Sequence, residues 1–546
     1  MRTLNCRTAL IIGKIALFTA LLTACGGGDT TSTSSDIAHP TLAEASRLLT
    51  QATFGPTLAE INRLSDMGTS AWFNEQFAKP QTLHLVYMNA ATPLVGEDLS
   101  EDQFFESFWQ QAVKGDDQLR QRVAFALSQI FVVSFQNSTL AYNPRGVASY
   151  YDLLGIYAFR NFRDLLQAVT LHPMMGNYLN ALGNEKTDGA QVPNENYARE
   201  IMQLFTIGLR QLNADGTDTT TPATETYTSA DIKGLAKVFT GWSWAGPDKS
   251  SNRFYGWQLR DPNRDWLPMQ NYPNFHETLP KSFLGVTIPA NTSGEASLKI
   301  ALDTLFNHPN VGPFIGRELI QRLVTSNPSP AYVGRVAAAF ANNGQGVRGD
   351  MKAVIIAVLL DSEARTVPTG NTAGKIREPV IRLSNWMRAF HATSSSGRFQ
   401  MGTHDDPLWG LAQTPMRSPS VFNFFRPEYV PPNSNISAAN RFSPEMQITE
   451  EMSVTGYLNF MRDAIQNGTG MSNDIRADYT AELALVGTPE ILVDRVNLLL
   501  MQNQMSATLR SQILTAINSN PSNSAINKVY LAIFLTMASP EYIVQK

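Results

Sequence analysis

The chain has 546 residues, 43% of them apolar and 16% charged, and a formal net charge of −4 at pH 7. That length allows one large core or several domains, while the acidic balance disfavours a nucleic-acid partner, which would require a basic face. Cys6 and Cys25 are the only cysteines and both fall within the first 25 residues, so no disulfide or thiolate chemistry is expected of the body that follows.

The first segment reads as an export leader. Arg2 and Arg7 give residues 1–24 a positive start, and residues 15–24 form an apolar run too short to span a bilayer. The run ends in Leu22-Thr23-Ala24-Cys25. This resembles the bacterial lipobox, in which the cysteine sulfur takes a diacylglyceryl group, cleavage falls just before it and the new amine is acylated. Cys25 is thus the expected lipidation site and membrane anchor, because two or more acyl chains hold a protein stably at about 0.8 kcal/mol per buried methylene. Gly26, not Asp, follows it, which favours the outer membrane over the inner. Gly26-Gly27-Gly28 and the Thr/Ser-rich residues to Ser35 make residues 25–38 a flexible tether. Loss of Arg2, Arg7 and Lys14 with the leader leaves 40 basic against 47 acidic residues.

Residues 39–546 read as mainly α: a large, multi-helical, bundle-like body with long irregular aromatic-rich loops, in one piece or in two lobes at 39–290 and 291–546. Residues 117–133, 152–171 and 193–209 carry helical periodicity. Residues 213–227 are a polar, threonine-rich insertion expected on the surface. Residues 243–280 hold Trp244, Phe254, Tyr255, Trp257, Trp266, Tyr272 and Phe275 among prolines and asparagines. An irregular stretch that long is uncommon unless functional, and its aromatics predict that it folds back and packs. Ser329-Pro330 opens a helix striped with Val333, Val336, Ala337 and Phe340, and Asp350 caps another with Val354, Ile355, Val358 and Leu359. Residues 414–441, with Phe422, Phe424, Phe425 and Tyr429, are irregular again. Thr488-Pro489-Glu490 supplies a capping residue, an N1 proline and an early acid ahead of Leu492, Val496, Leu499 and Leu500.

Several segments together resemble the domain-of-unknown-function 1800 family. They are Arg47-Leu48-Leu49-Thr50-Gln51-Ala52-Thr53-Phe54-Gly55-Pro56; Asn194-Glu195-Asn196-Tyr197-Ala198-Arg199-Glu200 with Leu204-Phe205-Thr206-Ile207-Gly208; and Phe239-Thr240-Gly241-Trp242. His276-Glu277 with Lys281, Leu284 and Gly285 is similar to the family's His-Asp segment, with Glu replacing Asp, and Ser418-Pro419-Ser420-Val421-Phe422 to its late aromatic motif. Where many members carry Phe-Trp and His-Phe, this chain has Leu127-Ser128-Gln129-Ile130-Phe131, so no role of that histidine carries over. The resemblance implies export, a helical body and frequent encoding beside a second exported family. It implies no reaction.

On a helix over residues 193–209, Tyr197, Ile201, Leu204, Phe205 and Gly208 share one face, and Glu195 and Arg199 form an i,i+4 surface pair opposite it. Gly208 there implies close approach of another backbone. Glu200 falls at the edge of the buried stripe, where a carboxylate needs a cation, donors or a proton. It is either an acid/base or ligand residue, or half of a buried ion pair, and the ion pair is favoured. With His276 and Glu277 it makes the candidate catalytic set. His172, Glu195, Asn196, Arg199, Trp242 and Lys281 are the candidate binding residues. His172-Pro173 and His308-Pro309 sit at helix ends, where imidazoles can bond terminal carbonyls. His404-Asp405-Asp406 is read as a solvated loop.

Gly344-Gln345-Gly346-Val347-Arg348-Gly349 fits a dinucleotide fingerprint and Gly241-Trp242-Ser243-Trp244-Ala245 a nucleophile elbow, but helices rather than strands lead into both. Asp261, Asn263 and Asp265 alternate like the start of a calcium loop without its glycine or closing glutamate, which leaves them as the candidates for a divalent cation; no other cofactor is predicted. The balance favours a lipid-anchored binding or assembly component of the cell envelope, with an envelope protein partner from a neighbouring gene. The alternatives are an envelope hydrolase joining Glu200 to His276 or Glu277, and a metal-stabilised scaffold.

Overall fold

A computed structural model of the chain describes residues 39–91, 99–257, 261, 263–369, 373–519 and 524–546. The leader, Cys25 and the tether lie outside the described residues. The body is mainly α, with 26 α-helices and only two-stranded pairs of short strands among the described residues. None of its helices is long and apolar enough to cross a membrane, again among the described residues. A single apolar cluster runs from Ala45 to Tyr542 and crosses residue 290 without a break.

Local chemistry sets many helix starts. Ser329 Oγ accepts the Tyr332 N–H at 3.1 Å and Asp350 Oδ1 the Lys352 N–H at 3.0 Å, satisfying amides that the first turn leaves unpaired. Both helices bury the stripes read from sequence. Thr488 behaves differently. Its hydroxyl turns back to Leu485 O at 3.3 Å and caps nothing, although Leu492, Val496, Leu499 and Leu500 are buried as expected.

Two helices end where tertiary bonds capture the backbone. The run 117–133 is helical only over Gln118–Ser128. Beyond it, Phe131 O accepts the Tyr150 hydroxyl at 2.7 Å, and Phe135 N–H donates to Met416 O at 2.8 Å. The run 152–171 is two helices, Pro144–Tyr157 and Phe162–Leu171. Phe162 N–H donates to Gly349 O at 2.8 Å and Met351 N–H to Arg160 O at 3.0 Å, so distant backbone overrides helix propensity between them. Asp152 consequently lies mid-helix and buried. Its carboxylate accepts the His84 and Leu85 N–H groups at 2.7 and 2.8 Å, and burial lifts it to about 7.

The aromatic-rich stretch after Ser243 does fold back. Trp242–Ser243 pairs antiparallel with Gln270–Asn271, Phe254 and Phe275 stack at 3.8 Å, and Arg264 covers the Trp244 ring at 4.7 Å. Residues 414–441 are irregular apart from the short helix Asn435–Ala438. His404-Asp405-Asp406 is not a solvated loop. His404 is buried between Trp109 and Phe460, and Asp405 accepts from the Thr414 hydroxyl at 2.8 Å and pairs with Arg417 at 3.1 Å.

A buried ionic network ties the two halves of the chain. Lys375 Nζ lies 3.2 Å from Glu445 Oε1 and 3.6 Å from Glu378 Oε1. Arg322 pairs with Glu318 at 2.5 Å. The Arg322 carbonyl accepts from both Arg122 Nη2 at 2.7 Å and Lys375 Nζ at 2.9 Å. Glu378 also accepts from Gln129 and, at 2.8 Å, from Gln413. Burial pushes the Glu378 carboxyl up, yet Lys375 and Arg122 outweigh it and hold the group below its ordinary range. Lys375→Met would leave Glu378 and Glu445 facing each other with no cation between them, and removing one partner of a buried pair costs about 3–5 kcal/mol. A urea unfolding curve should show a loss of that size; a loss no larger than a surface substitution gives would mean the carboxylates are neutral in the fold.

Candidate functional site

The signature helix is Asn196–Gln203, shorter than the periodic run because its end is tied down. Ile207 and Gly208 N–H both donate to Met202 O at 3.0 Å, and Gly208 takes a φ of 70°. A Cβ on Gly208 would come within 2.9 Å of the Phe314 ring, so the close approach is a side chain rather than the backbone expected. Tyr197, Ile201 and Phe205 are buried, and the Tyr197 hydroxyl donates to Thr170 Oγ1 at 2.8 Å. Glu195 and Arg199 pair on the outer face at 3.5 Å, as their spacing implies.

Glu200 is buried, but the ion pair favoured from sequence does not form. Arg199 goes to Glu195, and Glu200 Oε2 has no hydrogen-bond partner among the described residues. Burial pushes its carboxyl up, only partly opposed by the charge of Arg199. Its charge is felt by the Tyr178 and Tyr227 hydroxyls, each held at about 12 chiefly by burial. No hydrogen bond or ion pair joins Glu200 to His276 or Glu277 among the described residues.

His276 and Glu277 are organised by Thr240. The Thr240 hydroxyl donates to Lys237 O at 2.7 Å and accepts the Glu277 N–H at 2.8 Å, while its carbonyl lies 2.8 Å from His276 Nδ1. A carbonyl can only accept, so Nδ1 carries the proton and Nε2 the lone pair. That Nε2 is buried without a hydrogen-bond partner among the described residues, and burial lowers the imidazole further than the Thr240 bond can restore. Glu277 accepts the Thr187 N–H at 3.1 Å, the Thr187 hydroxyl at 2.6 Å and the Leu279 N–H at 3.0 Å. Burial raises its carboxyl, but these donors prevail and hold it below the ordinary range. Lys281 is fully buried, its ammonium without a hydrogen-bond partner among the described residues and lowered by burial.

The same bonds clamp a neighbouring loop. Gly241 N–H donates to Asn184 O at 2.7 Å, Gly183 N–H to Trp242 O at 2.9 Å and Lys186 N–H to Phe275 O at 2.9 Å. Gly241 has a φ of 73°, and a Cβ there would come within 2.8 Å of Tyr272 O and His276 N, so only glycine serves this crossing. The Asn184 amide then pairs with the backbone of Asn194, Oδ1 accepting at 2.8 Å and Nδ2 donating at 3.2 Å. Asn196 Nδ2 reaches Asn180 Oδ1 at 3.1 Å. The result is a solvent-open hollow of about 400 Å³ lined by Asn177, Asn180, Asn184, Glu185, Gln191 and Asn194.

The remaining candidates make contacts within the fold. His172 Nδ1 accepts the Met174 N–H at 3.2 Å and so caps the start of Pro173–Tyr178, and His308 Nδ1 accepts the Asn310 N–H at 3.2 Å. Both imidazoles cap by accepting amides rather than by bonding carbonyls; burial takes His172 down to about 3. Trp242 is buried in its strand. Ser243, the would-be nucleophile, donates to Phe254 O at 2.5 Å. Asp261 Oδ1 accepts the Asn263 N–H at 2.9 Å, and Asp265 lies 3.4 Å from Arg264, so the calcium-like triplet makes a local turn and an ion pair. No group of three or more His, Cys, Asp or Glu able to hold a metal occurs among the described residues. Helix Pro330–Ala341 precedes the glycine-rich 344–349 turn, as its rejection as a dinucleotide site requires.

Sequence reasoning missed Thr187, Thr240 and Asn184. Thr240 stood inside a quoted motif, but nothing in the spacing of Thr187 or Asn184 marks them, because their partners lie 90 and 10 residues away.

The chain belongs to the family described as protein of unknown function (DUF1800), whose model matches residues 47–544. No curated protein and no solved structure matches it.

Glu200→Gln tests whether the buried carboxyl is used as an anion. A value raised in the fold means that the group's stabilising share is present below the unfolded carboxyl range and is lost as pH rises through the folded value. Urea midpoints at about pH 4 and about pH 8 should therefore differ less for the variant than for the parent, with the variant at least as stable at the higher pH. A clear loss of stability there would reveal a partner for the ionised form.

Proposed function

We propose that this member of the family is an exported, lipid-anchored binding or assembly component of the cell envelope. Cys25 would hold it, with Gly26 directing it to the outer membrane, and the tether would let the body reach a protein partner encoded nearby. The observation that supports binding is the division of labour around the signature helix. His172, His276 and Glu277 lie inside the fold or beneath its surface, and Asn184 spends its amide on the Asn194 backbone, which shapes an open hollow lined by the amides of Asn177, Asn180 and Gln191. Amide side chains both donate and accept, which suits recognition of a polar segment of a partner.

The hydrolase reading requires Glu200 to work with His276 or Glu277, and no bond joins them among the described residues. Fractionation tests the anchor: Cys25→Ser should move the protein from outer-membrane to soluble fractions, and retention would end that part of the proposal. Asn184→Ala tests the hollow. It removes two hydrogen bonds to Asn194, and co-purification with the neighbouring gene product should fall at least about tenfold, or about 1.4 kcal/mol. Undiminished capture by a folded variant would place the partner elsewhere.

A further inference from the structure

The strongest unassigned feature is a groove of about 590 Å³ along helix Glu451–Asn467, on residues that share nothing with the hollow described above. One wall is Trp409, whose side of the groove is open: the residue is 80% exposed. Indoles are seldom left in water to this extent, because each carries a large apolar area.

The exposure does not come from a loose loop. Asp406 Oδ1 accepts the Leu408 and Trp409 N–H groups at 2.7 and 3.1 Å, and Leu411 N–H donates to His404 O at 2.7 Å. Gly456 lets the turn lie directly on the helix, since a Cβ there would fall 2.4 Å from Pro407 O. Trp409 is therefore presented in a fixed turn, and preorganisation of that kind lowers the cost of binding.

His404 and Phe460 also line the groove, their rings 5.2 Å apart and steeply inclined. His404 is more than nine-tenths buried, its Nε2 has no hydrogen-bond partner among the described residues, and burial brings it down to about 4. The neutral imidazole thus lines the groove as a ring inclined against Phe460, with its Nε2 closed to water. The rim carries Asn459 and Asn473 together with Arg462 and Asp463, which pair at 2.9 Å and cancel in charge.

We infer that this groove binds a neutral saccharide chain of gluco-configured pyranoses. Such rings hold their hydroxyls equatorial and so present a flat face of C–H bonds, which stacks on an aromatic plane. Their hydroxyls lie in the ring plane, where amides, a carboxylate and a guanidinium can donate and accept together. Phosphate or nucleic-acid ligands would need cations in excess, whereas the one arginine of the groove is paired. A peptide added as a β-strand would need an unpaired strand edge, and the groove runs along a helix.

The test uses the full chain in a detergent without a sugar headgroup. Chitohexaose and cellohexaose are the probes, followed by indole emission and saturation-transfer NMR. Saturable binding of at least one is expected, with Trp409→Ala weakening it by at least about tenfold and Asn459→Ala several-fold, while the unfolding temperature stays unchanged because both side chains face water. Should Trp409→Ala fail to fold, Asn459→Ala alone decides, by weakening binding or leaving it intact. No saturable response to either sugar, binding unaffected by the substitutions, or equal binding of a neutral peptide of similar length would overturn the assignment.

Discussion

Three cations and three carboxylates, all nearly closed to water, meet where the two halves of the chain join. Arg122 comes from helix Gln118–Ser128, Glu318 and Arg322 from Val311–Leu323, and Lys375, Glu378 and Glu445 from the segments that follow. Six isolated buried charges would each cost several kcal/mol. The set is tolerable because it is neutral as a whole and because backbone carbonyls and the Gln129 and Gln413 amides take up part of its donors and acceptors, although Arg122 Nε and Nη1, Arg322 Nε and Glu445 Oε2 find no hydrogen-bond partner among the described residues. The last residues of the chain are drawn to the same place. Lys375 pairs in register with Gln545, whose amide donates to Leu323 O and Val324 O at 3.0 and 3.1 Å. Arg47 reaches Ala364 O at 2.9 Å and Lys546 O. A body built around such a junction has to assemble its early and late segments together, which is why its apolar cluster has no seam.

The signature motifs follow the same rule of satisfying buried polar groups first. Thr240 uses one hydroxyl and one carbonyl to orient both His276 and Glu277, and Glu277 reaches across to fix Thr187. Leaving these buried groups unpaired would cost more than any one of the bonds contributes, so the loops that carry them are pinned by the same contacts. Arg388 shows the pattern at the opening motif. It bonds Gly55 O at 2.5 Å and Val113 O at 2.8 Å, and grips both oxygens of Glu60 at 2.7 Å.

Two features stand open at the surface. The asparagine-lined hollow and the Trp409 groove differ in chemistry, one almost wholly polar and the other walled by rings. Each rests on a backbone held by short-range caps: the Asn184 amide in the first case, the Asp406 carboxylate in the second. Loops positioned by a rigid body are the usual carriers of recognition.

Helix-rich architecture, the stripes of Pro330–Ala341 and Met351–Leu359, their Ser329 and Asp350 caps, and the Glu195–Arg199 pair were legible from residues alone, because each depends on neighbours within four positions. Membership of the family was likewise written in its motifs. The break at residues 158–161 and the early end of the helix at Ser128 were not, since each turns on a distant backbone partner that local propensity does not encode; Thr488 is a local exception, its hydroxyl turning back to Leu485 O instead of capping. The fate of the candidate residues belongs to the same class. Glu200 without an ion pair, His404 buried and Thr240 as the hub were decided only when distant segments packed, because burial and hydrogen-bond partners, not residue identity, set what a polar side chain does.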